Sequence, residues 1–370
     1  MRISPPLLLV WFAFAGARAV PAGRTPAMVA ATSTEIGRVP SPSRFLQAGD
    51  ASPFEHPVQT ATLVAASDHL ALHSDPWINL HHFLYNWARA DEGLGTGREH
   101  VPVPERASLG ELGEEERAAW TTAVRLYRDS VAARNRFADG MLELKEGLVR
   151  LGGDTGASPP EVIPGVSGAL AVAMPVYLER WWPGHDRANR AWVSSVVDRL
   201  RRHESEYVSL TERIYGARWP AGRRRVDVSA YANFAAGYTA LGHVVIYSTD
   251  PGNQGLYALE TLLHEIQHTR EMSSVVRGEL AEAFEAVGSD VPRNLWHAMI
   301  FATAGEFVRI VAEEEGLPPH TPYWTRGGFG DLGGWAEVVP AANRRWLPVV
   351  RGEASRGDAL AALAADLGGD

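Results

Sequence analysis

The sequence predicts an α+β protein: a helical N-terminal framework, a small antiparallel sheet, then a helix with paired histidines followed by a helical C-terminal part. Three observations carry this expectation. Apolar residues recur at helical spacing in long stretches ahead of residue 215. Between residues 225 and 249 the pattern changes to short β-branched or aromatic runs broken by glycine. Good helix formers return after Gly255 and contain His264-Glu265-Ile266-Gln267-His268.

Taken in order, the first 19 residues have Arg2 ahead of an apolar stretch from Leu7 to Ala15, then Ala17-Arg18-Ala19 in small-x-small form. This is the pattern of a secretory signal peptide cut after Ala19, and it predicts a secreted or periplasmic protein. The stretch is too short to cross a bilayer, and no later segment reads as a span, so the mature chain is expected to lack an integral membrane segment. Residues 20–60 are rich in Pro, Ser, Ala and Thr and read as a flexible linker. Residues 61–215 form the expected helical framework and 216–370 the expected catalytic region, the two together admitting one continuous domain over 61–370.

Within the framework, Asp75 can cap a helix whose first residue is Pro76, because proline lacks only a donor that would be unpaired there. Helical periodicity then runs from Glu114 to Val149 and from Asp186 to Ile214. "RVDVSAYANF", "GYTAL" and "HVVIYST" read as two or three antiparallel strands. Helices are expected from Gly255 to about Ser273, from Gly278 to Val287, and over "PRNLWHAMIFATAGEFVRIVAEE"; a loop-rich "HTPYWTRGGFGDLGG" and two shorter helices end the chain.

A net charge of −9 with acids and bases interspersed offers no basic stripe for phosphate contacts, which argues against a nucleic-acid partner. The 370 residues include no cysteine, so disulfides, thiolate ligands and a cysteine nucleophile are excluded, and any metal must be held by histidine and carboxylate. Histidines four apart share one helical face, so His264 and His268 can reach a single Zn2+ about 2 Å from each ring nitrogen. Glu265, rotated about 100° from His264, would stand beside the metal as a general base. The bland alternative is a polar patch on an amphipathic helix.

For the third ligand, Glu282, Glu285 and Glu306 are carboxylate candidates and His297 a rival. Glu306 is favoured because it is the only acid between Leu295 and Ala312, and an unpaired carboxylate buried there would cost several kcal/mol. Gly305 beside it would permit close approach of another backbone. The competing readings are an arginine ion pair for Glu306 and a hydrogen-bonded core position for His297. Nine residues separate the two, which places them on opposite helix faces and rules out one metal for both. His69, His73, His81 and His82 surround the first predicted helix and read mainly as packed, hydrogen-bonded side chains.

At the level of "HEIQH" and "AGEFV", the chain resembles the zincin metallopeptidases, specifically the gluzincin group in which a later helix supplies a glutamate; the arrangement of elements extends the likeness loosely over residues 220–315. The resemblance implies a zincin-like fold, zinc ligands His264, His268 and Glu306, and Glu265 as general base. It also implies an oxyanion donor, for which Tyr323 and His297 are candidates, and "HVVIYST" as the edge strand where a peptide or protein substrate would add. The expected activity is zinc-dependent peptide hydrolysis. A zinc-dependent amidohydrolase acting on a cell-wall or small-molecule amide, and a non-catalytic exported helical binding protein, are the alternatives.

Overall fold

The computed structural model describes residues 61–94, 106–232, 236–240, 242–331 and 334–369. The expected leader and linker, residues 1–19 and 20–60, lie outside them. The chain is a mixed α+β protein built on one five-stranded sheet in the order β1-β2-β3-β5-β4. Its strands are β1 (Leu63–Ala66), β2 (Leu70–His73), β3 (Arg224–Ser229), β4 (Gly237–Ala240) and β5 (His243–Tyr247).

The sheet is mixed, which corrects the antiparallel expectation. β2 pairs with β3, and β3 with β5, in parallel; only the outer pairs β1–β2 and β4–β5 are antiparallel. The two N-terminal strands were missed because each is four residues long, and "LVAA" and "LALH" carry too little alternation to mark a strand. β2 is buried throughout, as a central parallel strand must be. A second correction follows from the strand order: "HVVIYST" supplies β5, an interior strand, and the edge beside the histidine-bearing helix is β4.

Helices cover both faces. On one lie α1 (Pro76–Asp91), α2 (Glu114–Ser130), α3 (Asp139–Arg150) and α4 (Val166–Arg180), whose apolar side chains pack with Tyr238, Val245 and Tyr247. The continuous helix expected to Val149 is interrupted at residues 131–138, where the Asn135 side chain accepts from the Phe137 amide and closes a turn. On the other face lie α5 (Trp182–Tyr215), α6 (Leu256–Gln267) and α8 (Leu295–Glu314), packed on Leu70, Leu72, Val226, Val228, Val244 and Ile246. α7 (Arg270–Ala286) runs unbroken through the break expected near Gly278. The real interruption falls at Thr269, whose extended backbone (φ −67°, ψ 136°) separates α6 from α7. After α8 come a short α9 (Tyr323–Arg326), then α10 (Val338–Arg345), α11 (Leu347–Val350) and α12 (Arg356–Leu367).

α8 also corrects the reading that no segment after the leader could span a membrane. It is 20 residues long with a mean hydropathy of 1.3 in its most apolar window, enough by length and composition, yet 72% of that window is buried inside the protein. It is a core helix here.

The sheet is stapled to α1 by a buried ion network. Asp75 Oδ1 accepts from the Trp77 and Ile78 amides at 2.9 and 3.3 Å, the cap predicted from the sequence. Its Oδ2 meets Arg225 at 3.0 Å; Arg225 also donates to Asp227 at 2.7 Å, and His243 lies 2.6 Å from Asp227. Burial alone would raise the Asp227 carboxyl, but Arg225 and then His243 outweigh it and hold the group well below the ordinary carboxylate range. The folded state thus binds this proton more weakly than the unfolded chain, so the stabilisation is complete above about pH 4 and is lost as pH falls below it. Replacing Arg225 with leucine strands two buried carboxylates and is expected to cost about 3–5 kcal/mol in urea unfolding at pH 7. A loss near zero would show that the network is dispensable.

Candidate metal centre

α6 presents Leu259, Leu262, Leu263 and Ile266 to the core, and this fixes the rotation of the helix about its axis. His264 then lies in its last turn. His268 follows as the capping residue with backbone angles still helical (φ −69°, ψ −9°), so the spacing of four holds across the helix end. The Nε2 atoms of His264 and His268 are 3.2 Å apart.

The third member of the group is His297. It sits in the first turn of α8, and its Nε2 is 3.0 Å from that of His264; the ligand atoms of all three histidines lie within 4.8 Å of one another. Zinc bound by imidazole at about 2.0–2.1 Å in tetrahedral geometry places its nitrogen ligands roughly 3.3 Å apart, so the observed separations fit one ion among the three rings. Read as hydrogen bonds, the same two contacts would have to share His264 Nε2 between two neighbours, since each neutral imidazole has one N–H to offer. Burial, then the neighbouring imidazoles, push His264 well below its ordinary value. Burial also lowers His268 to about 3 and His297 to about 4. All three are neutral at physiological pH, with lone pairs free for a cation. Phe301 packs its ring 4.0 Å from that of His264, whose buried Nδ1 has no hydrogen-bond partner, so packing rather than an outer hydrogen bond orients this imidazole.

Glu265 is buried and turned toward β4, where Thr239 Oγ1 lies 2.9 Å from its Oε2 and 2.8 Å from its own carbonyl oxygen. Burial raises the carboxyl to about 8, with Thr239 acting in the opposite direction. The close approach depends on Gly237: a Cβ there would lie 3.2 Å from Glu265 Cγ and 3.1 Å from both Ile246 Cδ1 and the Val245 carbonyl.

The structure does not bring Glu306 to this group, a correction to the expected ligand set. Its carboxylate accepts from Arg309 at 2.9 and 3.1 Å and from Arg351 at 2.8 Å. Burial opposes ionisation of Glu306, but the hydrogen bonds from Arg309 and Arg351 overcome it and lower its pKa. The charge that pointed to a metal is neutralised by arginine, and α8's periodicity turns it away from His297. Glu282 and Glu285 are exposed on α7. Gly305 does permit a close approach, with Pro322 2.6 Å and Glu260 3.0 Å from the position of a Cβ, but this serves the chain after α8 rather than a metal.

The ring of Tyr323 lies parallel to Phe301 at 6.1 Å, and Phe301 in turn packs 4.0 Å from the His264 ring and 4.8 Å from the His297 ring. The Tyr323 amide donates to the buried Glu260 carboxylate at 2.8 Å, which also meets His320 at 2.6 Å. Trp335, 5.2 Å from the His297 ring, was not anticipated, and neither was Thr239; nothing in the spacing of a Gly-rich loop or a four-residue strand marks either position. The four histidines around the first helix are engaged elsewhere: His73 with Thr62, His81 with Tyr127, His82 with Ile78 and Tyr238, and His69 against Trp219. No family model, curated protein or solved structure matches the chain.

Replacing His297 with alanine is expected to weaken zinc binding by about a hundredfold or more, since even groups that only orient a ligand are worth 10–100-fold. Glu306→Ala should leave zinc affinity unchanged while lowering the thermal midpoint. Competition against a chromophoric chelator measures both, and the reverse pattern would restore Glu306 as a ligand.

Proposed function

We propose that the chain is a zinc-dependent hydrolase of peptide bonds, with His264, His268 and His297 holding the metal and Glu265 as general base. The observation that carries this reading is the gathering of three imidazoles, with ligand atoms within 4.8 Å of one another, and a buried carboxylate on the residue next to one of them. When bound, zinc would polarise the scissile carbonyl and acidify water. Glu265 takes a proton from the attacking water and delivers it to the leaving amine. A dication nearby would draw its carboxyl back from about 8 toward the ionised form that a base requires. Thr239 holds that carboxylate against β4.

β4 supports a peptide as substrate. It is an edge strand, antiparallel to β5, and α6 packs beside it through Gly237 and Thr239. An extended chain adding to its outer edge would pass alongside Glu265. A helix with the H-E-x-x-H motif next to an antiparallel edge strand supports a zincin-like reading of the fold. The all-histidine ligand set departs from the gluzincin pattern, and its third member stands 29 positions after His268, on a separate helix. With the leader-like residues 1–19, the reading extends to a secreted or periplasmic enzyme.

Glu265→Gln is expected to keep its zinc and lose about 10²–10⁴-fold in turnover. A peptide library digested by the zinc-loaded full chain and read by mass spectrometry provides the assay. Undiminished cleavage by Glu265→Gln would remove this residue from the mechanism, and no zinc-dependent cleavage by the wild type would remove the peptidase reading itself.

A further inference from the structure

A second set of side chains with metal-ligand chemistry lies outside the triad, where α5 meets the C-terminal end of α8. Arg199, Arg202, His203 and Glu206 recur at i, i+3, i+4 and i+7 and so share one face of α5. Facing them are three consecutive glutamates, Glu313 to Glu315, at the negative pole of α8, which has no basic residue in its last turn.

The three acids are treated differently. Glu313 pairs with Arg309. Glu315 is held by Arg199 at 2.8 Å, Arg202 at 2.7 Å and His203 Nε2 at 3.1 Å. Gripped by two guanidinium groups, the Glu315 carboxylate accepts, and His203 Nε2 donates its proton to it. In the neutral ring this leaves Nδ1 with its lone pair. That atom is buried and has no hydrogen-bond partner, although the ring as a whole is 13% exposed. It points between the carboxylates of Glu206 and Glu314, 3.6 and 3.9 Å away, and their only ion-pair partner among the described residues is this same ring.

These separations are too long for hydrogen bonds, which need about 2.7–3.2 Å. They suit atoms that share an ion: ligands about 2.0–2.2 Å from one metal stand roughly 3.0–3.6 Å apart. A small rotation of the exposed Glu314 side chain would close the remaining few tenths of an ångström. The Glu315–His203 contact also reproduces the arrangement in which a carboxylate orients a ligating imidazole by accepting its other N–H.

We propose that His203 Nδ1, Glu206 and Glu314 bind a second divalent cation of the first transition row, completed by water, which clamps the end of α8 to α5. One imidazole with two carboxylates suits zinc or manganese, and its solvent-facing side predicts weaker binding than at the triad. Zinc titrated calorimetrically into the metal-free full chain should show two sites. The double variant Glu206→Gln/Glu314→Gln should lose the weaker site by tenfold or more and keep the tighter one. His264→Ala/His268→Ala should do the reverse. Both variants of the first pair change exposed side chains, and circular dichroism verifies that their fold is intact.

An isotherm of the Glu206→Gln/Glu314→Gln protein identical to wild type overturns the proposal, as does absence of zinc binding by His264→Ala/His268→Ala. Loss of zinc only on changing Glu206 and Glu314 would instead uphold this site and remove the metal from the histidine triad.

Discussion

Everything at the candidate centre depends on how closely α8 lies against α6, because a histidine in the first turn of one helix must meet two from the last turn of the other. Ala304, Phe307, Val308 and Val311 pack in the same core cluster as Leu259, Leu263 and Ile266. Polar side chains then set the register. Gln267, one of the two unspecified positions of the motif, is fully buried and donates to the Leu263 and Ile300 carbonyls, at 3.0 and 3.4 Å. It accepts from the Tyr215 hydroxyl, which also reaches Thr303, and Thr303 in turn accepts from the Trp346 indole at 2.9 Å. Leaving one such buried group unpaired costs about 1–3 kcal/mol, so sliding α8 along α6 would break several bonds together. The motif's variable residues thus help to place α8 and its His297 beside His264 and His268, Ile266 by packing and Gln267 by hydrogen bonding.

The same burial has opposite consequences for two glutamates. Glu265 has one hydroxyl as its side-chain partner and is pushed toward the neutral acid; Glu306 has two guanidinium groups and is held ionised. Three imidazoles and a carboxyl that burial pushes toward their neutral forms make a cluster with little charge of its own. His264, His268 and His297 would offer a dication lone pairs that need no deprotonation, and Glu265 would gain a positive neighbour such as Glu306 already has.

What could be read from the sequence follows the range of the interactions. The spacing of His264 and His268, the position of Glu265 and the Asp75 cap are local to single helix turns, and the structure has that geometry. The choice of Glu306 over His297 was a decision between tertiary partners. The local clue was present, since Arg309 stands three residues beyond Glu306 at helical ion-pair spacing, but Arg351 comes from a different helical segment and leaves no mark on periodicity. β1 and β2 were illegible for a related reason: β2 acquires its parallel partner β3 only after about 150 residues of intervening chain, and four buried residues without alternation look like any apolar run. The break at Thr269 rather than near Gly278 similarly reflects a cap geometry that composition does not specify.

β4 shows how the last strand of a sheet can be held firmly from both of its faces. Alternation sends Gly237 and Thr239 toward α6 and Tyr238 to the opposite face. There the Tyr238 hydroxyl lies 2.8 Å from both His82 Nε2 and Lys145 Nζ. The directions of these bonds are fixed: His82 gives its Nδ1 proton to the Ile78 carbonyl, so Nε2 accepts from Tyr238, and Tyr238 accepts from Lys145. Burial, with Arg136 adding to it, lowers the sole lysine of the chain to about 7, so its cost as a buried cation is limited near neutral pH. The strand is therefore pinned by an oriented hydrogen-bond chain on one face and by the Glu265 contact on the other. Under the proposed function, a peptide pairing with this edge strand would meet a backbone whose distance from Glu265 is already set, so little ordering of that backbone would oppose binding.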